Sequence, residues 1–346
     1  MSSSRVTVYD RSGQALSTLK CSTERSWVLN GEGMCTITLA VNDAKARQSI
    51  LQYGNLMTIE HAELPLWAGV IDTDRAWGNA KLTLTAWSAE RLFKFRRGPL
   101  NLPLRESSAG ALFQKLITIA NADEDLRVRD GDIWYGGTPR DETMDGRNIY
   151  DHVQEIAART GHDWSIEGAL DENGRLYFQA DWYETKGSMS GLQLREGTNI
   201  VAAEYIMTEQ GIIVNDLMGI GDGSTPESRI SYVEIDKTSR GLYGLRQAAQ
   251  DYSGNKEIGT LIANVRGTLA QSKHPIRTVI VTALDKGDTF KALRLGNILP
   301  LYMTTAGFLD DGNVGMNTNA RILGMQYNDD FNQVGLVLQE EVLDAD

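Results

Sequence analysis

Four histidines, two cysteines and 46 acidic residues are the raw material for chemistry in this 346-residue chain. His61, His152, His162 and His274 fall in no H-E-x-x-H or comparable metal spacing, and His152 and His162 flank one helix ten residues apart. Solvated or capping roles fit them better than metal binding. Cys21 and Cys35 stand fourteen apart in a β-rich stretch, without the companions a zinc site requires and too few for a disulfide scaffold. They read as reduced, partly buried thiols. Among the many carboxylates, Glu155 with Asp163 is a pair that glycoside hydrolysis could use. The acidic runs Asp310-Asp311-Gly312-Asn313 and Asp171-Glu172-Asn173-Gly174 lack the alternate-position oxygens and terminal Glu of a calcium loop, so both read as turns. Gly219, Gly221 and Gly223 lack the strand-to-helix setting of a dinucleotide site, and neither a Walker phosphate loop nor a G-x-S-x-G elbow occurs. Trp67, Trp77 and Trp87 recur every ten residues, as a sugar-binding platform could, but within strands Trp67 and Trp87 more readily face a core or a neighbouring subunit. No catalytic, cofactor-binding or metal-binding residue is assigned, and no cofactor is expected.

Charge narrows the function classes. With 34 basic residues against 46 acidic ones the net charge is −12, the wrong sign for gripping DNA or an acidic membrane. The opening Met-Ser-Ser-Ser-Arg-Val has no apolar stretch behind its arginine, and no run of about 18 apolar residues occurs. Neither a signal peptide nor a membrane-spanning helix is expected. The length predicts two or three domains, and 41% hydrophobic residues supply their cores.

The elements that must hold these residues are mostly short strands. Arg5–Tyr9, Cys35–Leu39, Leu56–Ile59, Leu66–Ile71 and Lys81–Trp87 alternate or run apolar between turns such as Asp10–Gly13, with a short helix expected from an Asn42 or Asp43 cap through Leu51. That pattern predicts a barrel or sandwich. After Gly98-Pro99, Leu112, Phe113, Leu116, Ile119 and Ala120 share one helical face behind Ser107 or Ser108, and Ile149, Val153, Ile156 and Ala157 share another between an Asn148 cap and Gly161. A hairpin follows, Trp164–Ile166 with Leu176–Phe178 around Asn173-Gly174. From about Gly191 strands return at Ile212–Val214, Ile230–Ile235 and Arg277–Val281. One longer helix interrupts them, carrying Ile258, Leu261, Ile262, Val265 and Leu269, capped by Asn255 and stopped before His274-Pro275.

One long-period repeat emerges. Tyr53-Gly54-Asn55-Leu56-Met57-Thr58-Ile59 matches Leu295-Gly296-Asn297-Ile298-Leu299-Pro300-Leu301, each preceded by a segment starting at an aspartate, Asp43 or Asp288. Downstream, Gly69 leads to Leu82 and Leu84 much as Gly324 leads to Leu336 and Leu338. Either these are ordinary hairpins, or the chain holds two related β-barrel domains, residues 1–97 and 191–346 (the second including the helix near 255–272), flanking a small α+β insert at 98–190; the duplication is the expectation carried forward. Gly54 and Gly296 should occupy equivalent turns, and Gly69 and Gly324 should lie in equivalent strands.

The order of these parts, with Tyr243-Gly244, the helix around 255–269 and the closing Leu295-Gly296-Asn297-Ile298 segment, resembles the tail-tip or baseplate hub proteins of tailed bacteriophages. The resemblance spans nearly the whole chain through short, degenerate motifs. It implies a non-enzymatic structural hub: a homotrimer in which each chain contributes two related tube-type β-barrel domains, the six barrels forming a pseudo-sixfold ring. Such a ring joins a sixfold tail tube or distal tail ring to threefold tip or fibre proteins, and surrounds the channel for the tape-measure protein and the DNA ejected through it without specific binding. It also implies a place in the virion, assembled in the bacterial host cytoplasm, with no membrane insertion by this chain. The chain stops at Asp346 soon after the second barrel, so a fused peptidoglycan hydrolase is not expected. The competing classes are a cell-wall glycan hydrolase and a carbohydrate-binding module on an all-β scaffold. On the hub reading, substituting Glu155 or Asp163 leaves assembly intact.

Overall fold

The computed structural model describes residues 4–201, 206–223, 225, 228–252, 256–286, 288–309 and 313–341. The protein is mainly β. Its first segment holds β1 (Arg5–Tyr9), β2 (Ala15–Leu19), β3 (Ser22–Val28), β4 (Met34–Ala40), β5 (Leu56–Glu60), β6 (Trp67–Gly78) and β7 (Lys81–Ser88), then a 3-10 helix at Ala89–Phe95. Period-2 alternation works as expected here: Cys35, Ile37 and Leu39 of β4 and Leu82, Leu84 and Ala86 of β7 point into one core, with Ile37 directly opposite Leu84. The short helix expected before Leu51 is replaced by successive turns. Asp43 accepts a hydrogen bond from the backbone N–H of Lys45 at 2.8 Å, a local bond that competes with helical pairing.

The middle segment comprises β8 (Leu100–Ser107), α1 (Ala109–Ala120), β9 (Val128–Ile133), β10 (Arg140–Asp145), α2 (Ile149–Thr160), β11 (Asp163–Leu170) and β12 (Leu176–Tyr183). Its helices start where their caps predict. Ser108 Oγ accepts from Ala111 N and Asn148 Oδ1 from Asp151 N, and Gly161 closes α2 in the left-handed region. Strands β9, β12 and β11 form a three-stranded sheet beside α1. One apolar cluster crosses the 97/98 boundary: Leu112, Phe113, Trp164, Phe178 and Trp182 pack with Tyr9, Leu56, Val70 and Phe93 of the first segment.

The last segment contains β13 (Leu194–Arg195), β14 (Ile206–Gln210), β15 (Asp216–Ile220), β16 (Ser231–Ile235), α3 (Lys237–Tyr243), β17 (Gln247–Asp251), α4 (Ile258–Ser272), β18 (Ile276–Leu284), α5 (Thr289–Ala292), β19 (Ile298–Phe308), β20 (Val314–Asn328) and β21 (Gln333–Glu340). Two details differ from expectation. Ile212–Val214 is not a strand, because Gly211, at φ +108°, ends β14, and Ile212 projects into solvent. The helix near 255–272 lies outside the large sheet: α4 covers the separate sheet β16-β15-β17 with its own core of Leu217, Tyr252, Leu261, Val265 and Leu269. Glu257 stands at its N-cap, and the expected cap Asn255 lies outside the described residues.

A 13-stranded sheet runs through both outer segments in the order β14-β18-β21-β20-β3-β4-β7-β6-β5-β1-β2, with β19 and β13 branching from β20. Read outward, β3-β4-β7-β6-β5 repeats as β14-β18-β21-β20-β19. The correspondence holds residue by residue. Gly54 N–H donates to Ile71 O and Ile71 N–H to Asn55 O, each at 2.8 Å; Gly296 N–H donates to Ile322 O at 2.8 Å and Ile322 N–H to Asn297 O at 2.9 Å. Asn55 and Asn297 each turn back to a carbonyl five residues earlier, Ile50 and Ala292. Pairing of Ile37 with Leu84 and of Ile71 with Ala86 in one repeat matches Val281 with Leu336 and Ile322 with Leu338 in the other. Gly54 and Gly296 are therefore equivalent, at φ +86° and +81°. Gly69 and Gly324 lie in counterpart strands, β6 and β20, as expected, but at different positions: Gly69 precedes Ile71 and corresponds to Ala320, whereas Gly324 follows Ile322. Each long strand carries a bulge just past its isoleucine, between Ile71 and Arg75 and between Ile322 and Gly324, which breaks equal spacing along the sequence.

A Cβ at Gly296 would sit 2.4 Å from the Lys186 carbonyl oxygen, a backbone atom, whereas at Gly54 it meets only the end of the Arg11 side chain at 2.8 Å. Both substitutions carry the left-handed cost of about 1–2 kcal/mol. Thermal unfolding should therefore show a modest loss for Gly54→Ala and a clearly larger one for Gly296→Ala; equal losses would refute the clash argument.

Candidate assembly surfaces and buried polar joints

Glu155 and Asp163 do different things. Glu155, on α2, is clasped by Arg159 one turn on and by Arg147 at 2.6 Å. Asp163, at the start of β11, is buried and joins all three segments. Its Oδ1 accepts from Asn30 Nδ2 at 2.9 Å, and its Oδ2 accepts from Lys186 N at 2.7 Å and from Arg321 Nη2. Asn30, held at φ +58° after β3, also accepts from Trp164 N at 2.7 Å, and Arg321 also donates to the carbonyls of Lys186 and Gly296. The expectation that assembly survives replacement of Asp163 meets a structural cost: its removal deprives the Arg321 guanidinium of its carboxylate and leaves Asn30 Nδ2 and the Lys186 N–H without this acceptor.

The other singled-out residues sit apart in local roles. His162 lies against Trp134 at 4.9 Å and accepts from Trp182 Nε1 at 3.2 Å, and burial pushes its pKa down to about 4. His61 packs on Tyr327, His152 lies 3.3 Å from Asp145, and His274 meets Tyr243 edge-on. Among the described residues, no three His, Cys, Asp or Glu side chains gather as a metal site. Burial raises both thiols, Cys21 to about 12 and Cys35 further. Asp171 accepts from the N–H groups of Asn173 and Arg175, making an ordinary turn. Residues 310–312 lie outside the described residues. Trp67 is buried with its indole N–H on Ser26 O, and Trp87 lies beneath Arg91. Trp77 alone of the three is bare, 65% exposed.

A second polar joint links the repeats where β3 pairs antiparallel with β20. Arg25, 1% exposed, lies 3.3 Å from Asp329 and over the rings of Tyr327 and Trp27, and Asp329 also accepts from Thr23 N and Oγ1. Sequence reasoning missed this residue. The signal was present, since Thr23, Arg25 and Trp27 occupy alternate positions of one strand and an arginine stands where an apolar residue is expected. Asn30 and Arg321 gave no local signal, because their partners are 133 and 158 residues away.

Between the three segments lies a cavity of about 390 Å³, lined by Trp27, Leu64, Trp67, Glu90, Lys186 and Arg294 among others. Burial raises the Glu90 carboxyl to about 7, although Ile166 N–H donates to it at 3.1 Å. The surface offers sheet edges. Among the described residues β14 pairs only with β18, and residues 74–78 of β6 pair only with β7. Exposed Val233, Ile235, Leu242 and Leu245 add an apolar tip beyond the β15–β17 sheet.

No protein-family model matches this sequence, and no curated protein matches it. Solved structures do match in fold. The prophage tail protein gp18 of Listeria monocytogenes EGD-e superposes with TM-score 0.63 at 11% identity, over 97% of this chain and 94% of that one. The 43 kDa tail protein of prophage MuSo2 from Shewanella oneidensis gives 0.60 at 10% identity, over 97% and 98%. The E. coli c3393 protein, a type VI secretion component described as similar to the T4 tail proteins gp27 and gp5, gives 0.54 at 11% identity, over 93% of this chain and 73% of that one. The fold is that of phage tail proteins.

Two measurements follow from the joints. Asp163→Ala should cost about 3–5 kcal/mol because it strands a buried cation, whereas Glu155→Ala, on a half-exposed pair, should cost no more than about 1 kcal/mol; equal effects in denaturant titrations would refute the joint. Glu90 binds its proton more tightly folded, near 7, than unfolded, so its contribution falls as pH rises between about 4.5 and 7 and is flat above. Glu90→Gln should leave stability at pH 4.5 nearly unchanged and raise it at pH 8 by the order of 3 kcal/mol; parallel pH profiles for the two proteins would contradict this.

Proposed function

We propose that this chain is the structural hub of a phage tail tip or baseplate, three copies closing into a ring of six repeats. The observation that carries this reading is the internal duplication: two segments of matching strand order and register, hydrogen-bonded into one continuous sheet, within a fold shared end to end with phage tail proteins. A pair of repeats per chain is what converts a sixfold neighbour into threefold parts. Residues 1–97 and 191–346 supply the ring, and 98–190 projects from it. On one side the ring meets a distal tail or tail-tube ring, on the other the tip or fibre proteins. Its lumen passes the tape-measure protein and then DNA, which the acidic excess repels rather than binds.

The hub works by shape and not by catalysis. Asp163 and Asp329 hold polar joints between segments, and Glu155 is neutralised by two arginines. The contacts between copies are heterologous, joining unlike faces, so they close a ring only if the rotation per repeat is right. Permanent contacts of this kind bury of the order of 2,000 Å² or more.

Native mass spectrometry of the purified chain should give three times the chain mass, and electron microscopy a ring with a central opening. A monomer that releases sugar from peptidoglycan, with release abolished by Glu155→Gln and folding retained, would replace the hub by a hydrolase.

A further inference from the structure

The junction inside the chain is a template for the junction between chains. Strand β20 has two halves separated by its bulge: the first pairs with β19, and residues 324–328 pair with β3, in the register Gly324 to Val28, Gln326 to Ser26 and Asn328 to Glu24. Strand β6 is the counterpart of β20. Its first half pairs with β5, and beyond the bulge its outer edge, residues 74–78, is bare among the described residues. Strand β14 is the counterpart of β3: Met207 opposes Val279 as Arg25 opposes Cys35, and among the described residues nothing pairs with its outer edge. The two unpaired edges are thus the two halves of a joint that the chain already makes once.

On the trimeric reading above, we propose that β14 of one copy adds antiparallel to residues 74–78 of β6 in the next, closing the ring by main-chain hydrogen bonds. Transferring the internal register sets Asp74 opposite Gln210, Arg75 opposite Glu209, Ala76 opposite Thr208, Trp77 opposite Met207 and Gly78 opposite Ile206. Two features favour it. The register places an arginine opposite a glutamate. And Trp77 corresponds to Tyr327, which pairs opposite Arg25 and is 1% exposed beneath the joint with β3, while Trp77, lacking such a cover, is 65% exposed. An added strand supplies that cover. An uncapped edge flanked by a bare tryptophan is otherwise an aggregation hazard that a lone chain would be expected to blunt.

The ladder also dictates the test. Leu29 N–H donates to Leu323 O at 2.8 Å and Asp329 N–H to Thr23 O at 3.1 Å, so Ser26 and Gln326, three steps from each, form a non-hydrogen-bonded pair, whose Cα atoms approach to about 4.5 Å. That spacing suits a disulfide. Ser26→Cys with Gln326→Cys should form an intramolecular disulfide and serves as the geometric control. Ala76→Cys with Thr208→Cys, the transferred pair, should run as a covalent trimer on a non-reducing gel. Either single variant should give no trimer, and the off-register pair Ala76→Cys with Gln210→Cys at least tenfold less. Trp77→Asp should abolish the trimer peak in native mass spectra while circular dichroism stays unchanged. A native trimer with the control disulfide formed but no cross-link from the 76/208 pair overturns this pairing and leaves the trimer standing. A monomer with the control disulfide formed overturns both.

Discussion

A strand that changes partner partway along its length leaves an edge that something must cover, and much of this protein follows from that constraint. Strand β20 is fifteen residues long, and past its bulge the continuing half cannot reach β19. Strand β3, from the opposite end of the chain, takes the place. The choice forces an arginine into the interior, since residue 25 falls on the inward side of β3, and Arg25 is tolerable there only because Asp329 and the Tyr327 and Trp27 rings meet it. The first thirty residues and the last thirty described ones thereby become one cooperative unit. The middle segment connects β7 to β13, and its core is fused to Tyr9, Leu56 and Val70 of the first segment.

Local patterns were legible and distant ones were not. Strand alternation, the Ser108 and Asn148 caps and the Gly161 stop depend on neighbours within a few residues, and the structure places them as the sequence predicts. The duplication was readable through Gly54-Asn55 and Gly296-Asn297, because a left-handed turn whose asparagine reaches back five residues leaves a two-letter trace. It put Gly69 and Gly324 in counterpart strands but could not align them position for position, because bulges shift register without any residue signature of their own. Turns replaced a helix before Leu51 because one aspartate bonds its own loop. The extent of the α4 unit escaped for a different reason: its helix and strands pack on one another, and periodicity cannot say which sheet a helix covers.

Strongly perturbed titratable groups usually mark active sites, and this chain has several. Their positions argue otherwise here. Glu90 lies in the cavity among three segments, and Arg25 lies between the repeats. Each perturbation arises where separate parts of the chain close over a polar side chain, and none shares its site with a nucleophile or a gathered set of acids among the described residues. The same geometry that shifts a catalytic carboxylate elsewhere is used here to make the assembled segments mutually dependent.

Divergence between the two repeats is itself informative. Backbone pairing is kept almost position for position, while the side chains at equivalent sites differ: Trp77 for Tyr327, Met207 for Arg25, Ala320 for Gly69. Hydrogen bonds between strands depend on main-chain atoms, so a repeated set of strands can lose its sequence likeness and keep its joints. What it cannot keep is identical surroundings. The middle segment leaves after β7 and the α4 unit leaves between β14 and β18, and the two meet through Arg140 with Asn264 and Gln271 with the Ala158 carbonyl. In a ring built from such chains the inner strands approximate six equal positions, but these paired outgrowths occur once per chain. On the ring proposed above, a sixfold frame would carry a threefold exterior, with the symmetry change made by where the insertions sit rather than by any distortion of the sheet.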